Sequence, residues 1–407
     1  MMPYRGAILS VFMKGFVENT MRHRRLFSVV QFLSYAAFGL CMTNLIPYLE
    51  YQGFNSYERG FALSGYALLT ILLQLGLGYL FDKTGYAKVY ISTSIVIFLV
   101  ASGLLFFNKL SFPMMVIIVM LVGGFLNALC GFLDTWIMGI SESLRASLSG
   151  IKSFGSLGWT IGSLGSSLIM TLLGYRGVAG IIVFFSLIAF IVMQALPDIE
   201  RKTTKTEVTL SDLVALLKLK DYMILILILF LLYGLVVANT TLVVDKMLSL
   251  KATPLELSLK WSIGSLLEIP MYAFGMTLIR KYGNLRMLQL SALVATAQFV
   301  LFGLMTTSLG LVFVCLLQIF TTPIILITSK FLVAQIVPQY LRNSGQMIAL
   351  SLFMGGASFV IPILSGFLGI RLGYSITLIL FSILGILALL LIGYLRKQLS
   401  DFQSEAD

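Results

Sequence analysis

Apolar runs of about 20 residues, separated by short polar breaks, recur along the whole chain. That length crosses a bilayer as a helix. Twelve such runs are read, over roughly 26–49, 61–81, 89–108, 113–140, 150–173, 178–196, 222–245, 258–279, 287–306, 309–332, 344–368 and 375–395. None has the ten-residue alternation of a membrane β-barrel strand, so an all-α integral membrane fold with twelve transmembrane helices is expected. The longest polar stretch, 197–221, follows the sixth run. It divides the chain into an N-terminal segment 1–25, a six-helix bundle 26–196, a linker 197–221, a second six-helix bundle 222–396 and a tail 397–407. Within the linker, "LSDLVALLKL" has the pattern of a short amphipathic helix lying on the membrane face.

Lys and Arg then orient the runs. Arg22, Arg24, Arg25, Lys83, Lys88, Arg145 and most others fall in alternate breaks on one side, while the opposite side holds only Arg59, Lys109, Arg176, Lys246, Lys251, Lys260 and Arg371. The rich side is expected to be cytoplasmic, with both termini and the linker inside a plasma or inner membrane. This loop bias accounts for the net charge of +11 without any nucleic-acid partner. Composition agrees, with 58% hydrophobic and 11% charged residues, where soluble domains carry about a quarter charged. Residues 1–25 lack the charge order and cleavage site of a secretory signal. They fit a basic surface segment, and a start at Met21 would remove most of it.

Chemistry is sparse. The 3 cysteines lie inside apolar stretches and the 1 histidine, His23, sits among arginines in "MRHRR". No metal spacing, nucleophile–base set or nucleotide-binding glycine loop is present. An enzyme, a cofactor and a metal site are therefore not expected, and energy would come from a gradient.

Two halves of six spans fit a transporter built from repeats. The break after the second run, "GYLFDKTGYAK", and that after the eighth, "TLIRKYGNLR", both place charge, then Gly, then a basic residue. The first, with Gly78, Asp82, Gly85 and Lys88, resembles the loop signature of the major facilitator superfamily, Tyr90 standing where a second basic residue is usual. The resemblance implies two pseudo-symmetric halves and a gating role for this loop. Within the superfamily the chain is similar, over nearly its whole length, to the lactose-permease-like branch. There an asparagine precedes a sugar-binding glutamate by seven residues, matched here by Asn127 and Asp134. A sugar-binding arginine follows after eighteen more, matched by Lys152, and then a ring-stacking tryptophan, matched by Trp159 in "SFGSLGW". The arginine-and-glycine pattern also resembles nucleoside–proton symporters, and "SLLEIP" and "RNSGQ" resemble both groups. The permease's coupling residues are not kept: Ser265, Gln298, Gln318 and Thr321 occupy their places, while Glu268 stands where a sugar-contacting asparagine would be.

The residues themselves support part of this. An unpaired aspartate in a span costs about 2.5–3.5 kcal/mol on insertion scales, so Asp134 needs a partner or a watery cavity. Asn127, Cys130 or Gly131, and Asp134 share one helical face, and Lys152, Gly155 or Ser156, and Trp159 share another. An Asp134–Lys152 pair is expected, with lysine a point charge lacking arginine's fork. Glu268 falls mid-span beside Pro270, with no cation within a turn. Burial penalises the charged form of a carboxyl, which makes Glu268 a candidate proton carrier. Asp245 and Lys246 read as an interfacial pair or, alternatively, as an outer gate contact. Asn239, Gln298, Gln318 and Thr321 read as interhelical glue, with Gln318 also a candidate ligand.

The expected function is secondary transport of a small polyhydroxylated solute (a sugar, glycoside or nucleoside) by a monomer, coupled to protons. Asn127, Asp134, Lys152, Trp159 and Gln318 would bind substrate, and Glu268 with Asp134 would carry the proton. An exporter of amphipathic compounds, sugars or lipid-like molecules in the same fold is the alternative. A sensor or scaffold is disfavoured by the short loops.

Overall fold

The computed structural model describes residues 3–84, 86–198 and 216–406, and the apolar runs of the sequence all fall in helical segments. The main helices are α1 (Pro3–Tyr51), α2 (Ser56–Thr84), α3 (Lys88–Phe107), α4 (Phe112–Ile140), the short α5 (Glu142–Ala146) and α6 (Leu148–Gln194). After the linker come α7 (Lys220–Thr240), α8 (Leu242–Ser249), α9 (Pro254–Tyr282), α10 (Asn284–Leu304), α11 (Ser308–Val314), α12 (Thr322–Ile336), α13 (Arg342–Leu350), α14 (Gly356–Leu372) and α15 (Tyr374–Ala406). No strand occurs among the described residues. Most of the expected linker helix lies outside them.

Helix starts follow local chemistry. At α9, Thr253 and Glu256 form a reciprocal capping box with Pro254 in the first turn, which satisfies orphan donors that hydrocarbon could not. Ser308 at the start of α11 donates to the same Glu256 at 2.6 Å, tying two helix starts together.

Ten segments of the described residues are long and apolar enough to cross a membrane, one of them Gly150–Gln194 with 45 residues. That segment holds two of the predicted runs. Only Gly174 (φ 61°, ψ −164°) leaves helical geometry inside α6, in a region open essentially to glycine alone. The break expected over 174–177 thus shrinks to one residue. Three other helices are interrupted in mid-course. Thr241 separates α7 from α8, a 3-10 turn over Cys315–Phe320 separates α11 from α12, and a π-helical turn over Ser351–Gly355 separates α13 from α14. Hydropathy does not register such breaks.

Glycine sets the tightest contacts. A side chain at Gly158 or Gly162 on α6 would collide with the carbonyls of Phe32 and Ala36 on α1, and one at Gly60 or Gly366 with the carbonyls of Pro362 and Ser56 where α2 crosses α14. Small residues allow this backbone approach between membrane helices.

The buried apolar residues fall into unequal clusters. The largest joins α1–α6 to one end of the later helices, through Leu235, Val243, Leu257, Phe302, Ile361 and Leu378. A second, with Tyr222, Leu229, Leu288, Val333, Leu341 and Leu395, draws only on residues from 216 onward. The first cluster's shared end is the one poor in Lys and Arg. At the basic end the later helices pack among themselves.

Replacing Gly162 by Val is expected to lower the melting temperature through about 1–3 kcal/mol of overpacking. Gly180→Val, at a position with nothing within 4 Å, is expected to leave it nearly unchanged. Thermal unfolding of the purified protein checks both.

Candidate functional site

Asp134 lies near the C-terminal end of α4 and Lys152 in the first turns of α6, so both belong to the basic end. Lys152 Nζ lies 2.5 Å from Asp134 Oδ2, with the lysine side chain 48% and the carboxylate 20% exposed. The pair is therefore open on one side. Asp134 Oδ1 is buried without a hydrogen-bond partner. On α1, Gln31 is buried, and neither atom of its amide has a partner among the described residues. Gln31 Oε1 and the Tyr35 ring both reach the backbone of Gly155, on the α6 stripe that leads from Lys152 to Trp159. The Tyr35 hydroxyl faces Cys130, and Asn127 faces the Tyr66 hydroxyl of α2.

Trp159 is partly buried between two rings. Its centroid is 6.5 Å from Tyr35 and 6.4 Å from Trp261 of α9. Thr160, next to Trp159, and Ser265, one turn after Trp261, bring their hydroxyls to 3.5 Å. This is a contact between the earlier and the later helices, at the boundary on which Glu268 also lies. Glu268 is partly buried in α9 and faces the Gln318 amide and the Tyr233 hydroxyl. Asn239 of α7 donates to Gln318 Oε1 at 3.2 Å, while Asn239 Oδ1 stays unpaired. Gln318 sits in the 3-10 turn of Cys315–Phe320, and Asn239 is two residues before the break at Thr241. Helix interruptions that line polar groups at depth are how membrane proteins present backbone and amide dipoles to a ligand.

The other expected residues are placed differently. Gln298 donates to the carbonyl of Val314 at 3.2 Å, and Thr321 bonds back to Gln318 O at 3.2 Å. Both act within the bundle. In the loop signature, Gly85 and the side chain of Asp82 lie outside what is described, as does the surround of Gly78. Lys88 Nζ donates to the carbonyls of Gln194 at 2.6 Å and Leu196 at 3.0 Å. Its backbone N–H and that of Ala87 are capped by Asp198 Oδ1 at 3.0 and 2.9 Å. Lys88 thus fastens the start of α3 to the end of α6, satisfying carbonyls a helix C-terminus leaves open.

Two sequence expectations are corrected at the opposite end. Asp245 does not pair with Lys246. It accepts from Arg59 of α2 at 2.6 Å, with the two side chains 7% and 5% exposed. Arg59 also donates to Phe54 O at 2.7 Å and to Ser56 Oγ at 3.0 Å, and Ser56 Oγ lies 2.6 Å from the Tyr374 hydroxyl. Lys246 turns instead to the carbonyls of Phe302 and Gly303, at 2.6 and 2.9 Å. Arg59, Lys246 and Lys260, read from the sequence as loop cations, are all buried. Each is within one or two turns of a helix end, where counting charges per loop does not separate a buried cation from a solvated one. Arg59, Gln31, Tyr35 and Trp261 were not foreseen as part of any site.

The family model described as the MFS_1 like family matches residues 25–381. No curated protein matches the sequence. Among solved structures, a nucleoside transporter, NupG, superposes with a TM-score of 0.79 at 17% identity, over 92% of this chain and 99% of its own. An auto-inhibited peptide transporter of the POT family gives 0.74 at 11% identity, over 92% and 97%. A bacterial homologue of the human lysosomal transporter Spinster, inward-facing and unoccupied, gives 0.74 at 10% identity, over 93% and 97%. The likeness is one of fold.

Removing one partner of a buried ion pair leaves an uncompensated charge and costs about 3–5 kcal/mol. Arg59→Met is therefore expected to lower the melting temperature strongly. The double variant Arg59→Met/Asp245→Leu is expected to recover most of that loss, read by thermal unfolding in one detergent.

Proposed function

The chain belongs to the MFS_1 like family, and from that membership we propose that it is a secondary transporter moving a small polyhydroxylated solute by alternating access with proton coupling. The observation that carries the reading is the half-exposed Asp134–Lys152 pair at 2.5 Å, flanked by the unpaired Asp134 Oδ1 and Gln31 amide. A charge pair with spare acceptors and donors, beside an indole, suits a ring bearing hydroxyls. NupG, whose fold this chain shares, is a nucleoside transporter, and a nucleoside is such a molecule.

On this reading the chain forms two halves, 26–196 and 222–396, around a central site. Twelve spans follow when the arms of α6 on either side of Gly174 are counted separately and the 29-residue α9 is added to the ten. The basic end faces the cytoplasm. Asp134 and Lys152 exchange hydrogen bonds with the solute, Trp159 packs on its ring, and Asn127 and Gln318 orient it. Glu268, which meets the Gln318 amide, takes the proton. The Arg59–Asp245 pair joins the halves at the outer end, so the state described is closed outside and wet inside. Transport then requires that pair to part while the basic ends close.

Proton-driven uptake of nucleosides and glycosides into energised vesicles tests the reading. Losing a hydrogen bond to a charged group costs about 1.5–3 kcal/mol, so Asp134→Asn is expected to weaken apparent affinity by about tenfold or more. Glu268→Gln is expected to abolish accumulation against a gradient while solute exchange continues. Undiminished accumulation by the Glu268→Gln protein would remove Glu268 from coupling.

A further inference from the structure

Lys260 lies two turns into α9 and is only 4% exposed. Its ammonium rests 4.2 Å from the centroid of the Trp261 ring and faces the Cys315 thiol. It has no hydrogen-bond or ion-pair partner among the described residues. The other buried cations are matched: Arg59 by Asp245 and Lys246 by two carbonyls. A buried ammonium without a counter-charge is costly, and a ring face offsets only part of that.

The surroundings of Lys260 are also unfinished. Gly264, one turn on, leaves room that the Gln318 amide fills, 3.1–3.2 Å from where a Cβ would stand. Cys315 and Gln318 are three apart in a 3-10 turn, so their side chains eclipse. Lys260 thus lies on one side of Gln318 and Glu268 on the other. Trp261 Nε1 and Asn239 Oδ1, in the same neighbourhood, are buried and unpaired. Trp159 covers Trp261 from the earlier helices.

We infer that Lys260, with the Trp261 indole N–H and the Gln318 amide, is the binding site for an anionic group of the transported solute. The inference deepens the proposed function, on which it rests: the solute is a polyhydroxylated acid, such as a uronic acid or an acidic glycoside. Its carboxylate is held at Lys260 and its hydroxylated ring lies toward Trp159, which covers Trp261. When the outer ends separate, Trp159 lifts from Trp261 and Lys260 becomes the first charge an incoming anion meets.

The test is a thermal-shift titration of the full chain with three probe sets: neutral sugars, the matching uronic acids with their methyl esters, and plain carboxylic acids lacking hydroxyls. Uronic acids are expected to act at about tenfold lower concentration than their esters. Lys260→Gln is expected to remove that difference and Lys260→Arg to keep it. Acids no better than esters on the unaltered chain, a comparison that needs no variant, would overturn the inference. So would an acid preference that survives Lys260→Gln. Neutral sugars binding without any acid preference would leave the polyhydroxylated reading standing and remove only this one. Plain carboxylates binding through Lys260 while sugars do nothing would do the reverse. A response to none of the three would contradict both.

Discussion

An ion taken out of water costs several kcal/mol unless another charge or a set of dipoles replaces its hydration, and in a bilayer that rule decides where each of this chain's few interior charges can sit. Arg59 and Asp245 meet each other 2.6 Å apart. Lys246 is wrapped by the carbonyls of Phe302 and Gly303. Asp134 and Lys152 meet at a partly exposed face. Glu268 and Lys260 have no counter-ion among the described residues, and both stand against the same interrupted helix around Gln318. Charge compensation is complete at the Arg59–Asp245 end and incomplete around Gln318.

The same division appears in the packing. Backbone contacts at Gly60 and Gly366 bring α2 against α14, and the Arg59–Asp245 pair is sealed beside them. The largest apolar cluster runs across this end, while at the basic end the later helices keep a core of their own. An ion pair buried this way is a weak source of net stability, because desolvation offsets much of the attraction. Its value is registry: it holds two helix ends in one relation. Lys152, at the opposite end, is half in solvent in the same state.

Much of this was legible in the sequence and some was not, for physical reasons. Hydropathy found apolar helices, ten segments of the described residues being long enough to cross a membrane, because the bilayer demands length. Helical periodicity put Asn127, Cys130 and Asp134 on one face, and the 18-residue separation from Lys152 spans a single connection, so that pair was within reach of local reasoning. Arg59 and Asp245 are 186 residues apart, and nothing local links them. Each reads as an ordinary charge near a helix end, which is why Asp245 was matched with its neighbour Lys246 instead. Lys260 misled in the same way, since a cation two turns inside a helix looks like a loop cation when only charges per loop are counted. The breaks at Thr241 and Cys315–Phe320 leave no mark on hydropathy, because they change backbone geometry and not side-chain polarity.

The central claim is that the halves rock, opening one end as the other closes, with Arg59–Asp245 as the outer fastening. Spin labels at Lys109 and Leu255 report the outer end, and labels at Glu142 and Gln339 the basic end. Distances between each pair, measured before and after Asp245→Asn, test the claim directly. Rocking predicts opposite changes in one sample: the outer distance gains a longer population while the basic-end distance gains a shorter one. An outer distance that broadens while the basic-end distance stays fixed would mean local loosening, and would contradict the account.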